Sequence, residues 1–333
     1  MSEKHQVRLA LIGLGWWGGM LATAAAQRAR LVAVYARDQK ARDEFALRHA
    51  TRSAPDLAWI WSDPEIDGVI IATPHSVRSE VVEAAARAGK HVFVEKPLAL
   101  TVEEAERCIR ATESAGVVLQ VGHNKRRQTG IRAMKTAIDS GEIGQLQAIE
   151  TNISIPIVFR TNLPQWRQES EHLPAGGMTP LGVHMVDTIQ YLGGPIETVF
   201  AMITRLTHRM DLDDTTICLF HLAEGPLATL STLIATGPVH NVTVFGTEQI
   251  LWAEQDGLKL FRQIRGDPDR AEVPVEPVDT LVDELGEFVH CIQTGARPET
   301  GGSEALSVVE ALEAILLSAD TGATVPVSHG WVR

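Results

Sequence analysis

The sequence predicts an α/β protein with two domains: a doubly wound parallel sheet at the N-terminus, then an α/β domain built on a large, open, mainly antiparallel sheet. Two observations on the pattern support this. From residue 7 to about 122, short β-rich runs alternate with helical segments. Beyond that region, strand-like runs follow one another with short turns, which favours antiparallel pairing. A chain of 333 residues is long enough for two domains, each with its own core.

Five β-rich runs define the parallel sheet, and helical segments separate them. The predicted strands are VRLALIG, LVAVYA, DGVIIAT, HVFVE and VVLQVG. The segments between them repeat apolar residues at helical spacing; they are MLATAAAQRA, DQKARDEFALRHA, SVRSEVVEAAARAGK and TVEEAERCIRATESAG. Thr101 and Glu104 form a capping box that predicts a helix start, and Gly89 and Gly116 are expected helix stops.

The pattern of predicted helices and strands changes near residue 123. One helix leads into a loop rich in proline and glycine, roughly 156–182, and then into the strands ETVFAMIT, TTICLFHL, LATLSTLI and NVTVFG. A last helical stretch, EALSVVEALEAILLSAD, follows. We therefore divide the chain into a first domain over residues 1–123 and a second domain over residues 124–333.

Composition excludes several classes of partner. The formal net charge of −12 argues against a nucleic-acid partner and against anionic membrane surfaces. The first apolar run breaks at glycine, unlike a signal peptide, and no apolar stretch is long enough to span a membrane. The three cysteines (Cys108, Cys218 and Cys291) are scattered, which fits neither a disulfide framework nor a zinc site. We expect a cytoplasmic protein without a metal site.

The first predicted strand runs directly into the pattern G-x-G-x-x-G, formed by Gly13, Gly15 and Gly18. Glycines at this spacing allow a tight turn and the close approach of a pyrophosphate, and the following helix offers its free N–H groups to that charge. The motif predicts a dinucleotide site. The alternative is a glycine-rich turn without a ligand. Trp16 and Trp17 would either cover the cofactor or pack under the loop.

The end of the second strand indicates which dinucleotide binds. An acidic residue there would hold the ribose hydroxyls of NAD. This chain has Ala36 and then Arg37, a small residue followed by a guanidinium that suits a 2′-phosphate, so NADP is favoured. Asp38 keeps NAD open, and Arg37 could also be an ordinary solvated arginine.

The strand HVFVE ends in an ion pair and a proline: Glu95, Lys96 and Pro97. Proline cannot donate to a sheet and favours extended geometry in the residue before it, so the three residues could simply end the strand. The carboxyl end of a parallel strand near a topological switch point is also where such sheets bind ligands. The residues alone leave both interpretations open.

These motifs together resemble the glucose-fructose oxidoreductase, inositol dehydrogenase and MocA (Gfo/Idh/MocA) group of nicotinamide-dependent dehydrogenases. The resemblance runs nearly end to end, and the Glu-Lys-Pro after an ATP-H segment is its most specific part. The matching segments are GLGWWG, DGVIIATPHSVRSEVVEAAARAGKHVFVEKPLALT, VGHNKRR, PAGGMTPLGVHMVD, VFGTEQ and EALSVVEALEAILLSADTGATVPV.

The resemblance implies a Rossmann domain followed by an α/β domain whose open sheet often mediates oligomerisation, and hence a homodimer or homotetramer. It also implies hydride transfer between NADP or NAD and a secondary alcohol or ketone. The family favours sugars, sugar acids and cyclitols as substrates. Two other functions stay open: a nicotinamide-binding sensor or partner subunit without net turnover, and elimination or hydrolysis that uses the nicotinamide transiently.

The resemblance also assigns roles to residues. Lys96 falls beside nicotinamide and substrate, where it can stabilise negative charge on a substrate oxygen or relay its proton. His184 matches the histidine assigned as acid or base, and Asp187 could orient it or form a helix pair. The cofactor-binding set is Gly13, Gly15, Trp17, Gly18, Arg37, Thr73, Pro74, His75, Glu95, Lys96 and Pro97.

The substrate-binding set is Lys96, Asn124, Arg126, Trp166, Thr179 and His184. Four of these residues have not been given a role above, and each also has a structural interpretation: a cap for Asn124, a solvated charge for Arg126, packing for Trp166 and a loop contact for Thr179. Pro180 departs from the family pattern, because many relatives have an aspartate there. Proline cannot accept a hydrogen bond from a sugar hydroxyl, so the substrate and the proton relay could differ from those of the relatives.

Overall fold

The chain folds into two units, which a computed structural model describes over residues 6–327. The first unit contains residues 6–122 and Asp279–Leu306, and the second contains His123–Val278 and residues 307–327. The first crossing lies one residue from the boundary that the sequence suggested. The return of Asp279–Leu306 to the first unit was not predicted, so a single cut after residue 123 leaves part of the first unit out.

The sheet of the first unit has the strand order β3-β2-β1-β4-β5-β6, and every pair in it is parallel. Its strands are β1 (Arg8–Ile12), β2 (Arg30–Tyr35), β3 (Arg52–Ser53), β4 (Gly68–Ile71), β5 (His91–Glu95) and β6 (Leu119–Gly122). The strands β2 and β3 lie on one side of β1, and β4, β5 and β6 lie on the other side. This reversal of order is the topological switch point of a doubly wound sheet, and ligands bind there at the carboxyl ends of the strands.

Helices cover the sheets of both units. They are α1 (Trp16–Ala25), α2 (Gln39–Arg48), α3 (Leu57–Ser62), α4 (Arg78–Arg87), α5 (Val102–Ala115), α6 (Thr129–Asp139), α7 (Gly182–Gly193), α8 (Thr280–Thr294) and α9 (Gly302–Thr321). The predicted signals of α5 are confirmed: the Thr101 hydroxyl accepts from the backbone N–H of Glu104, and Gly116 ends the helix in the left-handed conformation. No helix within residues 6–327 combines the length and apolar composition needed to cross a bilayer.

The core of the first unit explains why α8 belongs to it. Leu285 and Phe288 of α8 are fully buried in the same cluster as Leu9 and Leu11 of β1. The rings of Phe93 and Phe288 lie 5.8 Å apart, edge to face. Burying these apolar side chains stabilises the unit, because each aromatic ring removed from water contributes on the order of 2 kcal/mol.

The second unit contains a nine-stranded sheet in the order β14-β13-β12-β11-β7-β10-β9-β8-β15. Its strands are β7 (Leu146–Ser154), β8 (Ile196–Thr204), β9 (Thr215–Leu222), β10 (Leu227–Leu233), β11 (Val239–Gly246), β12 (Gln249–Glu254), β13 (Lys259–Ile264), β14 (Ala271–Val273) and β15 (Val325–Pro326). The pair β7 and β10 is parallel, and the other pairs are antiparallel. The prediction of a mainly antiparallel sheet is confirmed.

The two faces of this sheet differ in exposure. Side chains alternate along β9, so Cys218 and Phe220 are buried while Ile217 and Leu219 are exposed. The buried face packs with residues of α6, α7 and α9 in one core cluster. The opposite face presents apolar side chains at the surface of the chain.

Candidate active site

The glycine motif forms a loop whose first and third glycines are required by the fold. Gly13 has φ +99°, and a Cβ placed on it would lie 2.4 Å from the carbonyl oxygen of Ala72. A Cβ on Gly18 would lie 2.1 Å from the carbonyl oxygen of Gly13. In contrast, a Cβ on Gly15 would meet no atom within 4 Å. The space beside Gly15 is open, at the start of α1, so a pyrophosphate can approach the backbone N–H groups there.

The two tryptophans of the loop have different surroundings. Trp16 is 74% exposed, whereas Trp17 is half-buried, and their rings lie 5.5 Å apart. The Trp17 indole N–H is a hydrogen-bond donor near the carboxyl group of Glu95, and it lowers the pKa of that group. Trp17 thus lies between the glycine loop and the end of β5, which are the two sequence motifs of this unit.

Arg37 and Asp38 follow β2 and have different surroundings. Arg37 is exposed beyond the strand. The Asp38 carboxylate caps α2, because its Oδ1 accepts from the backbone N–H of Ala41 at 2.8 Å. Arg42 donates to the carbonyl oxygen of Ala36 at 3.1 Å and fixes the strand end.

The end of β5 contains a buried carboxyl group. Glu95 is 4% exposed, and burial raises its pKa. The positive charge of Lys96, the Trp17 indole N–H and the charge of Arg78 oppose that rise without cancelling it. Gly122 of the neighbouring strand makes room for this group, since a Cβ on Gly122 would lie 2.9 Å from Glu95 Oε1. The sequence analysis missed Gly122; its place at the end of a predicted strand next to HVFVE was the available signal.

Two loops leave the same edge of the sheet side by side, because β4 and β5 are adjacent parallel strands. Thr73, Pro74 and His75 follow β4, and His75 is buried at the start of a short 3₁₀ turn. Lys96 and Pro97 follow β5, joined by a cis peptide bond, and Lys96 is half-buried. The first unit therefore brings both predicted nicotinamide-side segments together at the switch point.

The second unit buries a cluster of titratable side chains. Arg126 donates twice to the Asp187 carboxylate, from Nε to Oδ2 at 2.9 Å and from Nη2 to Oδ1 at 2.5 Å. The Nδ1 of His123 lies 3.8 Å from Asp187 Oδ1, and the rings of His123 and His184 are perpendicular with centroids 6.5 Å apart. All four side chains are more than nine-tenths buried. His123 was not among the predicted site residues.

The contacts within this cluster define the surroundings of Arg126 and Asp187. The Arg126 guanidinium forms a bidentate pair with Asp187 and lies over the ring of Tyr191 at 4.9 Å, so it is not a solvated charge. Asp187 lies on the same helix as His184, and its carboxylate accepts two hydrogen bonds from Arg126, a residue outside that helix.

The remaining predicted residues lie on or near the same unit's loops. Asn124 is buried in a 3₁₀ turn with Arg126. The hydroxyl of Thr179 is fully buried and accepts from the backbone N–H of Ala175 at 3.3 Å, which favours its loop role. Trp166 is half-buried, with its ring 6.3 Å from that of His172.

Within the described residues, no group of three histidine, cysteine, aspartate or glutamate side chains is arranged to hold a metal ion. The three cysteines are buried free thiols, and burial raises the pKa of Cys108 and of Cys218 to about 12. The candidate groups of the first unit are the glycine loop and Lys96, and those of the second unit are the buried cluster around His184.

Comparison with known proteins agrees with this geometry. A family model described as an oxidoreductase family with an NAD-binding Rossmann fold matches residues 7–123, and one described as the GFO/IDH/MocA C-terminal domain matches residues 131–251.

Individual relatives match over nearly the whole chain. A 1,5-anhydro-D-fructose reductase of Ensifer adhaerens is 26% identical over 84% of this chain and 85% of its own. A D-xylose 1-dehydrogenase (NADP(+)) of Haloarcula marismortui is 26% identical over 97% of this chain and 94% of its own. A solved structure from Desulfitobacterium hafniense, provisionally described as an NADPH-dependent oxidoreductase, superposes with a TM-score of 0.93 at 28% identity, covering 98% of this chain and 99% of that one. Because the two family models together match more than half of its length, the chain belongs to the Gfo/Idh/MocA family of NAD(P)-binding oxidoreductases.

Proposed function

We propose that this protein transfers a hydride between a nicotinamide cofactor and a secondary alcohol or ketone carbon of a small polar substrate of the sugar, sugar acid or cyclitol type. The observation that supports this most directly is the edge of the parallel sheet. There the open space beside Gly15 and the loops that begin with Thr73 and Lys96 lie at the carboxyl ends of β1, β4 and β5. The reductase and dehydrogenase relatives support the same reaction class.

The proposed chemistry divides between two side chains. The bound nicotinamide would supply the hydride acceptor or donor. The Lys96 ammonium would stabilise negative charge on the substrate oxygen, and the His184 imidazole would take or give the proton of that oxygen. Thr73, Pro74, His75, Glu95 and Pro97 would form the cofactor side of the site. Asn124, Arg126, Trp166 and Thr179 are the candidate substrate contacts.

We propose NADP as the preferred cofactor. Arg37 is exposed and its guanidinium can make a bidentate contact with a 2′-phosphate. Asp38 caps α2 through one carboxylate oxygen, which makes it a poorer holder of the two ribose hydroxyls of NAD.

Pro180 supports a second candidate function. A chain with proline at position 180, where many relatives have an aspartate, could bind the nicotinamide without net turnover, or use it transiently in an elimination or hydrolysis. Accumulation of NAD(P)H from an alcohol substrate separates the first proposal from both alternatives, because only the first reduces the cofactor without reoxidising it in the same turnover.

We also propose that the protein is a homodimer or homotetramer that associates through the exposed face of its nine-stranded sheet. Met202, Ile217, Leu219 and Leu227 lie on three adjacent strands of that face and are between 46% and 68% exposed in the single chain. A second copy of the chain would remove these side chains from water.

The first experiment is a calorimetric titration of cofactor-stripped protein with NADH and NADPH. A spectrophotometric screen of sugars, sugar acids and cyclitols with the tighter-binding form follows. Binding with a preference for NADPH, and turnover with at least one polyol or its ketone, is the expected result. No binding of either nucleotide would overturn the proposal, and binding without turnover across the screen would favour the second candidate function.

A further inference from the structure

The loops that follow β4 and β5 are joined by one buried side chain, Arg78. Its Nη2 donates to the carbonyl oxygen of Thr73 at 2.8 Å, and its Nη1 donates to the carbonyl oxygen of Pro97 at 2.5 Å. Arg78 is 3% exposed. A single rigid guanidinium therefore sets the spacing between the segment that begins at Thr73 and the turn that contains Lys96.

The position of Arg78 in the helix and its burial both disfavour a positive charge, which argues against its two hydrogen bonds being incidental contacts of a surface side chain. Arg78 is the first residue of α4, so its charge lies at the positive end of the helix dipole, where a cation is unfavourable. It is also buried, which adds a desolvation cost. The two charge-assisted hydrogen bonds to backbone carbonyls offset these costs, and each is made to a different loop.

Arg78 also acts on the carboxyl group next to Lys96. Its charge lowers the pKa of Glu95, against the effect of burial. The same side chain thus fixes the backbone on one side of Lys96 through Pro97 and influences the charge on the other side through Glu95.

We propose that Arg78 is a positioning residue that places Lys96 against the bound nucleotide by locking the β5 turn to the β4 loop. This inference rests on the proposed role of Lys96, and it adds a residue to which neither the sequence motifs nor the comparisons give a role. Arg78 does not touch the reacting atoms; it acts through the backbone of Thr73 and Pro97.

The chain provides a matched control, Lys90. Its Nζ donates to the carbonyl oxygens of Asp63 and Ile66 at 2.6 and 2.9 Å, and it is 7% exposed. Lys90 is therefore also a buried cation bonded to two carbonyls of the same sheet unit. It lies at the amino end of β5, the edge of the sheet opposite to Lys96.

The test measures how well bound nucleotide protects Lys96 from acylation by acetic anhydride. The extent of acylation at each of the seven lysines is read by mass spectrometry, without nucleotide and with a saturating concentration of NADH or NADPH, whichever binds more tightly. The other lysines serve as internal standards. This readout needs no substrate, and a general loss of stability does not change it as long as the protein is folded and saturated.

In the wild-type protein we expect bound nucleotide to slow Lys96 acylation by about tenfold, which corresponds to roughly 1.4 kcal/mol. Arg78→Gln leaves a neutral amide on a shorter side chain, in place of a guanidinium that reaches the two carbonyls from two nitrogen atoms. We expect nucleotide to slow Lys96 acylation by less than about twofold in this variant. Arg78→Lys keeps the charge but donates from a single nitrogen atom, so the protection of Lys96 by nucleotide in this variant should lie between these values. Lys90→Gln should protect Lys96 as the wild type does.

The outcomes separate this inference from the proposed function. Wild-type protection in Arg78→Gln would overturn the positioning role of Arg78 while leaving the Lys96 assignment intact. Nucleotide binding to the wild type without protection of Lys96 would instead reject the Lys96 assignment, and this inference with it. If Arg78→Gln does not fold, Arg78→Lys decides: reduced protection supports the role, and wild-type protection overturns it.

Discussion

At the residue scale, Lys96 is the group on which the proposed reaction depends most. We predict that Lys96→Ala lowers turnover by about 10²- to 10⁴-fold, because charge on the substrate oxygen loses its stabilising cation. His184→Ala should lower turnover by a similar factor through loss of the acid or base. Cofactor affinity should change little in either variant, as measured by calorimetry alongside steady-state rates. Lys259→Ala, an exposed lysine of β13, is the control, and unchanged turnover in both site variants would reject the assignment.

Arg37 decides which cofactor the protein prefers. We predict that Arg37→Ala weakens NADPH binding by about ten- to a hundredfold, the usual cost of losing a charge-assisted contact, and weakens NADH binding much less. Calorimetric titration of each nucleotide measures this. Arg30→Ala, an exposed arginine at the opposite end of β2, should leave both affinities unchanged. Equal weakening of the two nucleotides by Arg37→Ala would contradict a phosphate contact.

Glu95 should make stability depend on pH in an unusual direction. Its pKa is raised in the folded state, so the folded protein holds that proton more tightly than the unfolded chain, and this contribution destabilises the fold as pH rises from the unfolded value through the folded one. Glu95→Gln removes the effect. We therefore predict that Glu95→Gln is more stable than the wild type at neutral pH and that the difference disappears near pH 3.

Urea unfolding at several pH values measures this difference between Glu95→Gln and the wild type. Glu103→Gln, an exposed substitution on α5, is the control. A stability difference that does not vary with pH would show that the Glu95 carboxyl is not the cause.

The residues that could be predicted are those within a local motif. Gly13, Gly18, Thr101 and Gly116 each have a role that follows from their immediate neighbours in sequence, and the structure gives each that local role. The pairing of Arg126 with Asp187 joins residues 61 positions apart, and no local pattern indicates it. His123 was missed for the same reason, since its neighbours His184 and Asp187 lie on another helix.

At the element scale, the glycine loop allows fold and ligand binding to be separated. We predict that Gly13→Ala lowers the melting temperature, because the new Cβ would meet the Ala72 carbonyl at 2.4 Å in a backbone conformation that disfavours side chains. Gly15→Ala should leave the melting temperature unchanged, since Gly15 has ordinary φ and open space beside it, but should weaken nucleotide binding. Thermal unfolding and calorimetry measure the two effects. Unchanged nucleotide affinity in Gly15→Ala would show that phosphate does not approach there.

Several strands and helices with a strong local signal were predicted well, whereas β3, β7 and α8 were not predicted. HVFVE is β5 over its full predicted length, and TTICLFHL is β9. In contrast, β3 has two residues and depends on pairing with β2, so its sequence has no recognisable period. The helix α1 begins at Trp16, earlier than predicted, because the turn of the glycine motif leads directly into helical backbone.

At the scale of the whole molecule, the order of the two units could be predicted but the path of the chain could not. The change from alternating β and α runs to consecutive strands correctly indicated a parallel and then a mainly antiparallel sheet. The helix α8 packs its buried residues Leu285 and Phe288 on the first sheet, although it follows β14 in the chain. The pattern of apolar residues in an amphipathic helix does not indicate which of two sheets the helix will cover. The return of the chain to the first unit at α8 therefore requires the structure.

The oligomeric state is the prediction that belongs to the whole molecule. Ile217 of β9 lies on the exposed sheet face, where it pairs with Met202 of β8 on one side and with Ser231 of β10 on the other. We predict that the wild type sediments as a dimer or tetramer at micromolar concentration and that Ile217→Lys shifts it towards monomer, since a buried unpaired ammonium is costly in an interface. The fold should persist, because Ile217 is 52% exposed in the single chain.

Analytical ultracentrifugation measures both parts of this prediction, and circular dichroism confirms that the variant is folded. Leu47→Lys is the matched control: Leu47 is 84% exposed on α2 of the other unit, so its substitution should leave the oligomer intact. A wild type that sediments only as monomer would overturn the proposal of an oligomer. A wild-type oligomer that Ile217→Lys leaves unchanged would show that the chain associates through a different surface, and dissociation by Leu47→Lys alone would assign that surface to the first unit.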